Sequence, residues 1–254
     1  MQRTEWRLIN TPIETDGYMH MAIDESLMIS VGNTDSSPVL RWYSWNHPSV
    51  SIGFFQSPKE ELYYEKCVED NIEIFRRMTG GGAVYKHPRG EINYSIIIRE
   101  SPEYHDILSS YKKIAQPIID YLNSIGVKAV FSGINDIIVE GKKISGNAQT
   151  RMHNAILQHG TILLDFDIEA MTRYLRISNE KITDKHISSI KDRVTWISRI
   201  MEIDSESLIK GINTEYERSM KIMLREDELS HNEMERAISL KNNKYGSSEW
   251  LWQR

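Results

Sequence analysis

The residues best suited to chemistry fall in two clusters. The first is Arg76-Arg77-Met78-Thr79-Gly80-Gly81-Gly82-Ala83-Val84-Tyr85. Consecutive glycines cost backbone entropy, so a folded chain uses them where φ is positive or where another group must approach the backbone. Their N–H groups can cradle an anion while a neighbouring arginine neutralises it; a mobile turn is the alternative. The flanks favour the anion. Residues 75–99 carry Arg76, Arg77, Lys86, Arg89 and Arg99 against Glu91, a positive field within a chain of net charge -5. Strand alternation lets only one of Arg76 and Arg77 face the ligand side, and Arg77 is the expected one. Neither GxxxxGK[ST] nor GxGxxG is present.

The second cluster is Gly133-Ile134-Asn135-Asp136 with Glu140-Gly141-Lys142-Lys143-Ile144-Ser145-Gly146-Asn147-Ala148-Gln149. Lys142 belongs to a solvated turn. Lys143 opens a strand, with Ser145 expected on the same side and Gly146 leaving room beside it. An ammonium there can bind a carboxylate and an α-phosphate and stabilise charge on an acyl oxygen; a solvated hairpin is the competing reading. Asp136 is a candidate Mg²⁺ ligand or a turn cap. His159 is either a polar contact to a ligand or a satisfied core histidine. Cys67, the single cysteine, lacks a matching histidine motif and is not expected to be a nucleophile.

The elements that must position these residues follow from periodicity. Helices are expected at Tyr18 to Ile29 with Asp16 as cap, Ser57 to Asn71, Ile107 to Ile125 stopped by Gly126, Ile168 to Tyr174, Ser205 to Met223 and Asn232 to Lys241. Val39 to Tyr43 and Pro48 to Phe54 read as a β-hairpin. Further strands are expected at Ile72 to Arg76, Ala83 to Tyr85, Ile92 to Ile98, Val127 to Phe131, Asp136 to Val139, Ile144 to Gly146 and Ile156 to Leu164. The acidic run from Arg225 to Arg236 reads as a solvated helix face. Strands first and helices later give an α+β fold with a mixed, largely antiparallel sheet flanked by helices. Any domain boundary would lie between Ser178 and Thr195, and a single domain over 1–254 is expected.

Composition excludes several classes. With 254 residues and 40% hydrophobic content the chain can bury a substantial core. One cysteine rules out an internal disulfide and a cysteine-rich zinc site. The start lacks a signal-peptide core, and no run approaches the roughly 20 apolar residues that span a bilayer. The expectation is a cytoplasmic protein without membrane or nucleic-acid partners.

Taken together, the two clusters resemble the lipoate–protein ligase A family within the biotin/lipoyl ligase and octanoyltransferase superfamily. The resemblance rests on Arg76-Arg77 with Gly80 to Tyr85, Asn93 with Ser95, Asn135-Asp136, Lys143-Ile144-Ser145-Gly146-Asn147-Ala148 and His159-Gly160-Thr161. Lys244-Tyr245 and Ser248-Glu249-Trp250 are similar to the aromatic signature closing that family's large domain. It implies a bifurcated pocket with an apolar arm for a lipoyl chain and an arm for adenylate. Lys143 would be the central catalytic residue. Arg77 would contact phosphate, Gly80, Gly81, Gly82, Ala83, Val84 and Tyr85 would wrap the nucleotide, and Asn93, Asn135, Asp136, Ser145, Gly146, Ala148 and His159 would complete the substrate site.

The activity implied is ligation: lipoate and ATP with Mg²⁺ give lipoyl-AMP, and a carrier lysine then takes the acyl group. Acceptors would be lipoyl domains of 2-oxoacid dehydrogenase complexes or the glycine cleavage H protein. The family's small accessory C-terminal domain is absent after Trp250, so a separate accessory subunit is expected for activation. The alternatives are a lipoyl or octanoyl transferase acting without ATP, and a non-catalytic subunit that binds lipoyl domains. The cysteine-dependent transferases carry a catalytic cysteine just before the lysine hairpin, where this chain reads Phe131-Ser132-Gly133-Ile134-Asn135-Asp136. On that ground the ATP-dependent ligase is the expected activity. Biotin ligase is disfavoured by the missing GRGRxG-type loop.

Overall fold

The first strand of the protein, β1 (Thr4–Asn10), has burial that alternates from Glu5 to Leu8 and continues into buried Ile9, and it needs partners on both edges to satisfy its backbone. The computed structural model, which describes residues 3–11, 15–33, 35–176 and 192–254, supplies them from opposite ends of the chain. β2 (Val39–Tyr43) and β11 (Ile222–Asp227) both run parallel to β1. β6 (Glu91–Arg99), β7 (Ala129–Ser132), β8 (Asp136–Val139), β9 (Lys142–Met152) and β10 (Ala155–Leu163) extend the sheet with antiparallel pairings. The order is β11-β1-β2-β6-β10-β9-β8-β7. β3 (Ser49–Ile52), β4 (Glu73–Arg76) and β5 (Val84–Lys86) form a second sheet in the order β4-β3-β5. The fold is α+β with a largely antiparallel main sheet flanked by helices, as its sequence implies.

One face of the main sheet is closed by α4 (Ile107–Ser124) and α7 (Ser205–Met220). Ile114, Ile118 and Leu122 of α4 and Leu208, Ile212 and Tyr216 of α7 pack there against Trp42, Tyr94 and Ile96. The other face carries α1 (Gly17–Gly32), backed by α8 (His231–Leu240), with Leu27 and Met28 against Val39, Ile97 and Leu157. α2 (Pro58–Glu61), α3 (Tyr64–Glu69) and α5 (Ile168–Tyr174) attend the small sheet, and α6 (Ile197–Ile200) and α9 (Ser248–Leu251) are single turns. Asp16 caps α1 by accepting from the Met19 N–H, and Gly126 ends α4 at φ 88°. Among the described residues no helix is long and apolar enough to cross a membrane.

Several expectations are corrected. Val39–Tyr43 and Ser49–Ile52 are not a hairpin: they belong to different sheets, because the intervening Ser44–Pro48 crosses from one to the other. The segment from Ser57 to Asn71 is two short helices, broken where Leu62 and Tyr63 turn to meet Leu175 and Tyr174. The helix read to Met223 stops at Met220, since Lys221 is left-handed at φ 56° and turns the chain into β11 at Ile222. Arg225 to Asp227 are therefore strand, and the acidic helix begins only after the Ser230 capping box. Of the expected boundary between Ser178 and Thr195, residues 178–191 lie outside the described residues. Val194 and Thr195 lie along Lys143, with Lys143 N–H donating to Arg193 O and Thr195 N–H to Lys143 O.

Candidate active site

Where the two sheets and α1 meet there is a cleft of about 270 Å³. Its floor is the main sheet, and the strand register lays out two rows. Asp136, Gly146, Thr161, Asn93 and Tyr43 oppose one another in one row across β8, β9, β10, β6 and β2. Ala148, His159, Ser95 and Arg41 form the next. The glycine loop and Arg77 close the cleft from the small-sheet side, and Met21, Tyr43, Trp45 and Phe75 make one wall apolar and aromatic.

Arg76 and Arg77 divide as alternation requires. Arg76 points away and is spent on structure, donating to the carbonyls of Gly53, Phe54, Gln56, Trp250 and Leu251. Arg77 lines the cleft and ties the loop, donating to Gly80 O at 3.0 Å, Gly82 O at 2.7 Å and Ser51. Burial lowers its pKa to about 10, so it stays cationic at neutral pH, and no carboxylate pairs with it among the described residues. Gly81 sits at φ 99°, and a Cβ at Gly53 would lie 2.0 Å from Gly81 O, so both positions demand glycine.

The lysine hairpin turns at Glu140 and Gly141, both at positive φ, and brings Lys143 into the cleft lining. Its Nζ lies 2.7 Å from Asp136 Oδ1, an ion pair without hydrogen-bond geometry. Both side chains are about a third or more exposed, so the pair positions more than it stabilises. The expectation that Ser145 shares the side of Lys143 fails. Ile137 opposes Ser145 but Ile138 opposes Lys143, so Ile144 is the extra residue of a β-bulge. The bulge keeps Lys143 with Gly146 and Ala148 on the cleft face and turns Ser145 toward the core beside Ile137 and Ile162. Ser145 Oγ is buried without a partner. Gly146 has the role expected of it: a Cβ there would stand 2.7 Å from Lys143 Cε.

Asp136, with Lys143 against it, offers a poor magnesium site. Among the described residues no three His, Cys, Asp or Glu side chains gather as ligands, and a single carboxylate opposed by an ammonium does not fit a magnesium ion. Gly81, Gly82, Val84, Tyr85, Asn93, Asn135, Lys143, Gly146, Ala148 and His159 line the cleft with Arg77; Gly80, Ala83, Asp136 and Ser145 do not. Asn135 is braced by exchanging side-chain contacts with the Asn147 backbone and amide.

Two buried networks join residues that the sequence shows only separately. Asp24 of α1 accepts from Arg41 Nη2 at 2.7 Å and Ser95 Oγ at 2.9 Å, and lies 3.3 Å from His159 Nδ1. Burial pushes its carboxyl up, but Arg41 and His159 together hold it below the usual range. His159 Nε2 is 2.8 Å from Thr79 Oγ1, so this histidine links α1 to the base of the glycine loop; burial lowers its pKa. In the second network Lys86 Nζ sits 3.0 Å from Glu91 and 2.8 Å from Thr161 Oγ1, over the Trp45 ring. Burial lowers the Lys86 pKa while Glu91 opposes the shift. A helix buried on nearly all sides hides Asp24 from periodicity, and in the sequence Lys86 is one cation of the positive field around the glycine loop, with nothing to mark it as buried against Glu91.

Cys67 is fully buried on α3 in the small-sheet core with Leu62 and Ile72, outside the cleft. With one cysteine in the sequence, no thiol stands beside Lys143.

A main sheet floored with small residues, a glycine loop above it and Lys143 aimed between them define the catalytic fold of lipoyl protein ligases and their acyl-transferring relatives. Residues 16–217 match the lipoyl protein ligase A/B catalytic domain, and the chain belongs to that family. It is 29% identical to the octanoyltransferase LipM of Bacillus subtilis, covering 100% of both chains. It is 37% identical to the lipoate-protein ligase LplJ of the same organism, over 74% of this chain and 54% of that one. Among solved structures, the bi-partite lipoate protein ligase of Thermoplasma acidophilum superposes with a TM-score of 0.86 at 28% identity, covering 99% of this chain and 97% of that one. The expected ATP-dependent ligation is overturned by the octanoyltransferase relatives. Octanoyltransferases match at 28–31% identity over 97–100% of the chain, and such enzymes are transferases rather than ATP-dependent ligases.

Proposed function

We propose that the chain is an acyltransferase that moves an octanoyl- or lipoyl-type acyl group from a thioester donor to the ε-amine of a lysine on a lipoyl-domain carrier, without consuming ATP. The observation that carries the reading is the end-to-end match to octanoyltransferases, set on a cleft whose apolar wall of Met21, Tyr43, Trp45 and Phe75 suits a medium-length acyl chain. The unneutralised charge of Arg77 beside the open backbone of Gly81 and Gly82 suits a phosphate on the donor's thiol arm.

With no thiol in the cleft, transfer is direct. The acceptor's neutral amine attacks the thioester carbonyl, the carbonyl π electrons move to oxygen, and collapse breaks the C–S bond. The amide forms, and the departing thiolate takes the proton lost by the amine. Lys143 stabilises the developing oxyanion and, by holding the carbonyl, orients it toward the acceptor. His159, Asp24 and Thr79 fix the floor and the loop relative to each other.

The test is to incubate the chain with an octanoyl thioester of a carrier protein and a lipoyl domain, following acceptor mass. Octanoylation in the absence of ATP is expected, with Lys143→Met abolishing it. Modification that requires free octanoate and ATP, and none from the thioester, would sink the reading.

A further inference from the structure

Thr161 stands at the centre of the cleft floor, opposite Gly146 in the register and so beside the stem of Lys143. Its Oγ1 receives a hydrogen bond from Lys86 Nζ at 2.8 Å. The Asn93 amide is satisfied with its nitrogen toward Glu91 (3.1 Å) and Thr161 (2.9 Å) and its oxygen accepting from the Trp45 indole (2.8 Å). In this amide orientation Thr161 is acceptor to two donors, and the donation its own hydroxyl would make to Asn93 Oδ1 is lost. Lys86 is short of an acceptor as well. An ammonium has three N–H groups; Glu91 and Thr161 take two, and the Asn93 amide atom 3.4 Å from Nζ is the nitrogen, which cannot accept. Both side chains line the cleft. Lys86 is buried and Thr161 half-buried, and a donor left unmet once a ligand dries the cleft is costly, so the floor is arranged for an oxygen that arrives with the ligand.

We propose that Thr161 Oγ–H and Lys86 Nζ–H form the oxyanion site for the donor's acyl carbonyl, with Lys143 on the far side of the same oxygen. The inference rests on the acyl-transfer reading. When the acceptor amine bonds to the carbonyl carbon, the π pair passes to the oxygen held by Thr161 and Lys86. When the C–S bond breaks, that pair re-forms the carbonyl of the amide. Glu91 and Trp45 touch no reacting atom; they position Lys86.

The experiment is steady-state octanoyl transfer from the thioester by Thr161→Val and Thr161→Ser. Valine should lower kcat about 100-fold with KM within about threefold, and serine should restore kcat to within about threefold of wild type. The double variant Lys86→Met with Glu91→Gln, which removes both buried charges, carries the same kcat expectation and serves if valine at 161 disturbs folding. A Thr161→Val enzyme with undiminished kcat, or a loss confined to KM, overturns the inference while leaving transfer itself intact. A wild-type chain that transfers nothing from the thioester removes the acyl-transfer reading and this inference with it.

Discussion

Gly146 holds the space that Lys143 occupies: a Cβ built on it would stand 2.7 Å from Cε and 2.8 Å from Nζ of that lysine. The clash falls on the far end of a flexible side chain, so Gly146→Ala should cost under about 1 kcal/mol of stability. It should nonetheless swing Nζ out of register with Thr161 and lower transfer about 10- to 100-fold, because ångström-scale misplacement carries such losses. Activity per folded molecule, read beside a urea unfolding curve, separates the two effects. Wild-type activity in Gly146→Ala would show that the placement of Nζ is not what the glycine protects.

Adjacent arginines should fail in different ways. Arg76 is fully buried and spends its guanidinium on carbonyls at Gly53, Phe54, Gln56, Trp250 and Leu251. Trp250 returns a bond through its indole to Arg76 O at 2.9 Å. Arg76→Ala should therefore destabilise the fold by about 3 kcal/mol or more, visible as a lower urea midpoint. Arg77→Lys keeps a charge but loses the fork that holds Gly80 and Gly82, and should raise KM for the thioester donor with a smaller change in midpoint. If both variants moved the midpoint equally, the division of labour drawn from strand alternation would be wrong.

That division was legible in the sequence because a strand has a period of two, and the same rule read one residue too far produced the error at Ser145. A bulge at Ile144 leaves no signature in a run of Lys-Lys-Ile-Ser-Gly, yet it reverses the faces beyond it. Asp136–Val139 and Val39–Tyr43 were read to the residue because turn chemistry bounds them. β11 escapes local reading because its partner β1 lies more than two hundred residues away, and the alternation of β1 is confined to Glu5 to Leu8. Lys143 and the glycine loop carried a motif; Lys86, Glu91 and Asp24 became site residues only when three elements converged on them.

Acidification should destabilise the protein in a window set by His20. The ring is buried against Tyr43 and Trp45, with Arg41 beside it, and its pKa falls to about 3 by burial first and Arg41 second. The folded pKa lies below the unfolded value near 6.5, so the unfolded chain binds the extra proton between these limits. Stability from this group is therefore complete above about pH 6.5 and is lost at about 1.4 kcal/mol per pH unit on going down toward pH 3. Urea midpoints measured from pH 7 to pH 4.5 should fall for the wild type and fall less steeply for His20→Gln. Parallel slopes would refute the assignment.

Direct transfer makes a prediction about the lone thiol. Cys67 is fully buried in the small-sheet core, away from the cleft, and burial pushes its pKa up to about 11, so it is a protonated, inaccessible sulfur at neutral pH. Cys67→Ala should cost about 1 kcal/mol through lost packing and leave octanoyl transfer within about twofold of wild type. Native enzyme treated with iodoacetamide should likewise keep its activity. Mass spectrometry of the chain after exposure to octanoyl thioester without acceptor should find no covalent adduct, since the acyl group passes straight from donor sulfur to acceptor nitrogen. An octanoyl adduct that disappears in Cys67→Ala, together with loss of transfer, would mean that α3 opens to present the thiol and that the reaction proceeds through an acyl-enzyme.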